Sequence, residues 1–187
     1  MTLTSMPTEV VSVFELYPEP MKGRLYDIRR MIFEIAKETP GVGPLTETLK
    51  WGEPAYLTEA TRSGTTIRLG TVKSVVDASL GKVAAHRFPG GATRRPSANS
   101  CSVDERTNGS RTCAILFNCR TTLIQEFRSQ FRDHLSFDGN RGILLPGLDF
   151  PSEAVLAVCI ARALTYHLRR RRSEASAPPN DLAPADE

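Results

Sequence analysis

The chain has 187 residues, 40% of them hydrophobic, and a formal net charge of +3. That length fits one domain with a sizeable core plus looser segments, and no apolar run approaches the roughly 20 residues a membrane span needs. Charge is uneven: residues 71–112 carry seven cations against three acids, residues 169–187 balance four against four, and the rest is net −1, which argues against a basic nucleic-acid surface on the folded body.

The opening MTLTSMPTEVVSVFELYPEP has neither a basic leader nor an apolar block before a small-residue cleavage site. No signal peptide is expected, and the cytoplasm is the expected location. Thr8 as N-cap with Val10, Val13, Phe14 and Tyr17 predicts a first helix over residues 8–16. Pro18 and Pro20 end it. Met21, Leu25, Ile28, Ile32, Ile35 and Ala36 then recur on one helical face, so a second helix is predicted up to about Thr39, stopped by Pro40-Gly41. Ile28 and Ile32 should be core.

Short strands are predicted over residues 46–51, 65–69 and 113–117. The last reads CAILF, apolar enough for a central strand. Thr121-Thr122 opens a helix to about Gln130, and Asp138-Gly139-Asn140-Arg141 between apolar runs predicts a hairpin. Ser152 caps a final helix whose apolar face runs from Val155 to His167 and which ends in Arg169–Arg172, cations that suit a helix C-terminus. The composition of residues 169–187 predicts a disordered tail. Strands in runs, with helices at both ends, predict an α+β domain over residues 1–168: an antiparallel sheet with helices packed on one face.

The four cysteines, Cys101, Cys113, Cys119 and Cys159, form no C-x-x-C pair and have no histidine at zinc spacing. Free thiols are expected. No catalytic triad, P-loop or H-E-x-x-H pattern occurs, so an enzyme is the third choice of function.

Five segments carry a family resemblance: VFELYP (13–18), ETLKWGEPAY (47–56), FNCRTTL (117–123), FDGNRGI (137–143) and CIARALTYH (159–167). In this order they resemble the YdhG-like domain family, a bacterial family of unassigned function. The resemblance implies a frataxin-like fold, an antiparallel sheet flanked by helices. Because one bacterial relative is described as a frataxin-like iron chaperone, it also implies iron handling. The chain departs from that pattern at residues 72–111, a long Gly-, Ser-, Arg- and Pro-rich stretch where relatives have a short connection. It is expected to be a flexible insertion that adds nothing to the core, although Val75, Val76, Leu80 and Val83 could form a short amphipathic helix.

Two sets of candidate site residues follow. Trp51, Glu53 and Tyr56 surround Gly52 and Pro54, which fix a turn; they can wall a pocket, or Trp51 can plug the core. Asn140 and Arg141 follow a tight turn and can clamp an anion, or satisfy turn backbone and a surface acid. Together they favour a non-enzymatic module that binds a small anionic or planar ligand, with no cofactor, nucleic acid or membrane. The alternative is the iron chaperone, with Asp27, Glu34 and Glu38 on one face of the second helix as oxygen ligands. The bland counterpart is a solvated face in which Arg30 pairs with Glu34.

Overall fold

A computed structural model describes residues 5–76, 83–84, 110–146 and 151–176. The fold is α+β. Helices α1 (Thr8–Glu15) and α2 (Met21–Glu38) lead into strands β1 (Thr46–Lys50), β2 (Glu53–Leu57), β3 (Ile67–Val76), β4 (Val83–Ala84) and β5 (Ser110–Phe117). Helix α3 (Leu123–Phe131), strands β6 (Ser136–Asp138) and β7 (Gly142–Leu145), and helices α4 (Glu153–Leu164) and α5 (Tyr166–Ala175) complete it. The sheet order is β1-β2-β3-β5-β7-β6, every pairing is antiparallel, and β4 pairs with the far end of β3.

The helices pack on one face of this sheet. Val10 and Phe14 of α1, Leu25, Ile28 and Ile32 of α2, Leu123 and Phe127 of α3, and Leu156 and Ile160 of α4 share one buried cluster with Tyr56, Ile67, Ile115, Phe117 and Ile143. The expected face of α2 is therefore the buried one. The continuous apolar run of β5 has a physical cause. Cys113, Ile115 and Phe117 enter the main core, while Ala114 and Leu116 join Val72 and Leu144 in a second buried cluster on the opposite face.

Four elements differ from expectation. Lys50 pairs with Glu53 across Trp51-Gly52, so the expected turn region folds as a two-residue hairpin with β2 as its second strand. Both turn residues have positive φ, 59° and 78°, the signature of a type I′ turn. β3 extends to Val76 and pairs Val72 with Thr112 and Lys73 with Arg111, so both ends of the expected insertion belong to the sheet. Residues 75–76 pair with 83–84 as strand rather than forming a helix, and the rest of the expected insertion, with Cys101 and His86, lies outside the described residues.

The last helix is broken at Thr165. The β2–β3 loop enters the break and takes up the freed backbone groups. Thr65 N–H donates to the Ala163 carbonyl (2.9 Å), His167 and Leu168 N–H donate to the Ser63 carbonyl (2.8 and 3.0 Å), and Ser63 Oγ donates to the Leu164 carbonyl (2.8 Å). Gly64 permits this approach, because a Cβ there would stand 2.4 Å from the Leu164 carbonyl. Beyond the break α5 carries Arg169–Ala175, so this part of the expected disordered tail is helical; residues 177–187 lie outside the described residues.

Candidate functional site

The first candidate set is dispersed. Trp51 stands at the β1–β2 hairpin tip and is 91% exposed, so it neither plugs the core nor walls a cavity. A bulky side chain at φ 59° is strained by something on the order of 1–3 kcal/mol. Two residues on, Glu53 accepts from Arg68 Nη1 at 2.6 Å and lies across the bare backbone of Gly70. Partial burial raises the Glu53 carboxyl, and the guanidinium charges of Arg68 and Arg141 oppose that shift.

Tyr56 points the other way, into the core, edge-on to Phe33 at 5.8 Å between centroids. Its hydroxyl makes no hydrogen bond of ordinary geometry, and burial, together with the Glu47 carboxylate opposite it in β1, pushes the phenol far above its ordinary range. Tyr56→Phe is accordingly expected to cost nothing, or to stabilise by about 1 kcal/mol, because it removes a buried hydroxyl that lacks a well-formed hydrogen bond. Urea denaturation checks this, and a loss above about 1 kcal/mol would mean that the hydroxyl has a partner after all.

At the other hairpin, Asn140 Oδ1 accepts from Arg128 Nη1 (3.0 Å), and Arg128 also donates to the Gly139 carbonyl. Arg141 Nε donates to Asp138 Oδ2 (3.0 Å). Of the five residues, Glu53 and Arg141 alone are close enough for one's charge to act on the other's ionisation.

The second set is brought together. Asp27, Glu34 and Glu38 line one groove of about 510 Å³ between α2 and α4, where α4 adds Glu153. Arg24 and Arg30 share it, and Ile28, Met31, Ile35, Ala154 and Ala157 give it an apolar floor. Arg30 pairs with Asp27 at 3.4 Å rather than with Glu34. The carboxylates are strung along the groove: Asp27 and Glu34 are seven residues apart, ~10 Å along a helix axis. Among the described residues no three His, Cys, Asp or Glu side chains converge so as to hold a metal ion.

An unanticipated pair lies beneath α2. Arg29 donates from Nε and Nη2 to the two oxygens of Glu47, each at 2.7 Å. Both side chains are nearly dry, 6% and 4% exposed, and the guanidinium sits 4.8 Å from the Phe33 ring centre. The residues are 18 apart, so spacing gives no sign of the pair. One signal existed: alternation in β1 puts Glu47 on the same face as Leu49, a charge on an apolar row.

The thiols divide by burial. Burial pushes Cys113 up to about 11 and Cys159 up to about 12, while Cys119 is exposed. Of these three, Cys119 alone is expected to take up a thiol reagent in the native protein, since thiolate is the reactive form. Peptide mass mapping after brief labelling tests this, and equal labelling of Cys159 would contradict its burial.

Neither protein-family models, nor curated proteins, nor solved structures provide a match to this chain. No helix of the described residues is long and apolar enough to cross a membrane.

Proposed function

We propose that this protein is a non-enzymatic binding module and that its ligand is a small, extended organic cation held between α2 and α4. One observation carries the reading: an apolar-floored groove of about 510 Å³ lined by four carboxylates and two guanidiniums. Its volume falls within the range of small-molecule sites. The lining charge favours a cation, and the apolar floor favours a carbon chain. Carboxylates strung along an axis suit a molecule with separated charges better than a point charge. The first set supports an anion less well, because Trp51 is exposed at one hairpin tip, Tyr56 lies in the core, and Asn140 and Arg141 sit at another hairpin.

Calorimetry with α,ω-diamines of increasing length tests this. Affinity should rise with length until the amines span Asp27 to Glu34 or Glu38, and Glu34→Gln with Glu38→Gln should weaken it by about tenfold or more, ~1.4 kcal/mol. Affinity indifferent to both length and substitution would count decisively against the groove.

The iron-chaperone reading keeps one support, that Asp27, Glu34 and Glu38 do share a groove. Anaerobic calorimetry with ferrous iron separates the two. Iron binding that is tighter than millimolar and is lost in the same double variant would favour the chaperone; its absence alongside diamine binding would remove it.

A further inference from the structure

Trp51 stays unexplained by that reading, and it fits the same groove. Trp51 is the chain's single tryptophan. It is 91% exposed, against 71% for Leu16 and about 40% for the other exposed large apolar side chains among the described residues. Its position at φ 59° in a two-residue turn is one where Asn, Asp or Gly is favoured. Neither turn chemistry nor core packing accounts for a tryptophan there. Lys50, immediately before it, is also exposed.

The α2–α4 groove offers the complement. Ile28, Met31 and Ile35 form an apolar floor, Ala154 and Ala157 leave it open, and Asp27, Glu34, Glu38 and Glu153 stand around it with Arg24 and Arg30, leaving an excess of two negative charges. A volume of about 510 Å³ accommodates an indole, and the carboxylates would face the ammonium of the residue preceding that indole. We propose that two copies of this chain associate by seating Trp51 of each in the α2–α4 groove of the other, with Lys50 against the acidic rim. Aromatic anchors filling apolar pockets beside complementary charge are the usual core of such contacts, and the reciprocal exchange makes the interface closed and self-complementary. A ligand in the groove would displace the neighbouring copy's indole, so ligand binding and self-association compete.

The test uses the full chain without ligand. Sedimentation velocity should show a dimer forming as concentration rises, and the emission of the lone tryptophan should move to shorter wavelength in step. Trp51→Asn, which suits the turn better, should remain folded and monomeric. Ala157→Met, which fills the groove, should be monomeric with solvent-exposed emission. Three results would overturn the proposal: a wild-type monomer with unshifted emission at all concentrations, a Trp51→Asn dimer, or an Ala157→Met dimer. None of these bears on diamine binding, so this proposal and the ligand reading fail separately.

Discussion

Arg29→Ala is expected to destabilise the protein by about 3–5 kcal/mol. Arg29 donates two 2.7 Å hydrogen bonds to Glu47 in a nearly dry site. Truncating the arginine leaves the Glu47 carboxylate buried without its partner, and desolvation of that charge sets the cost. Replacing both residues by apolar ones of similar volume, Arg29→Met with Glu47→Leu, should recover most of the loss, since the attraction of a buried pair barely exceeds the desolvation of its members. Urea denaturation of the two variants measures both effects. A cost below about 1 kcal/mol for Arg29→Ala would mean that water reaches Glu47, as at a surface pair.

Ile32→Ala should cost roughly 2–5 kcal/mol. Ile32 is fully buried on the same face of α2 as Leu25 and Ile28, where the helix meets the sheet and α4. The loss combines the transfer of three carbons with the cavity left behind, and α2 is pinned too well along its length to collapse into that space. A denaturation midpoint implying under about 1 kcal/mol would mean that this face of α2 is not the packed one.

Both expectations begin in α2, but they differ in how visible they were beforehand. The apolar stripe of α2 is a local pattern, so Leu25, Ile28 and Ile32 could be placed inside from spacing alone, and they are. The same holds for Ser152, whose side chain accepts from Val155 N–H, and for the Asp138–Arg141 hairpin turn. What spacing could not supply is anything decided between distant segments. The break at Thr165 contains neither glycine nor proline; it exists because Ser63 and Thr65 take over its hydrogen bonds. β2 was hidden by Gly52 and Pro54, which read as turn residues, yet Pro54 sits within the strand opposite Leu49. The Arg29–Glu47 pair depends on α2 crossing β1.

The candidate residues divide in the same way. Asp27, Glu34 and Glu38 lie on one helix, and their shared face is local, so they stay together in the fold. Glu153 joins them only through the α2–α4 packing, which no pattern announced. Trp51, Tyr56, Asn140 and Arg141 were associated because each adjoins a tight turn. The sheet sends Tyr56 inward, leaves Trp51 at one hairpin tip and puts Asn140 and Arg141 at another.

Amide chemical shifts of nitrogen-labelled protein during a diamine titration test whether the α2–α4 groove holds the ligand. Saturable shifts should concentrate in residues 24–38 and 153–157 and vanish in the Glu34→Gln, Glu38→Gln variant. Shifts centred instead on Trp51 to Tyr56 or on Asp138 to Arg141, or no shifts at all, would mean that the groove is not the binding site.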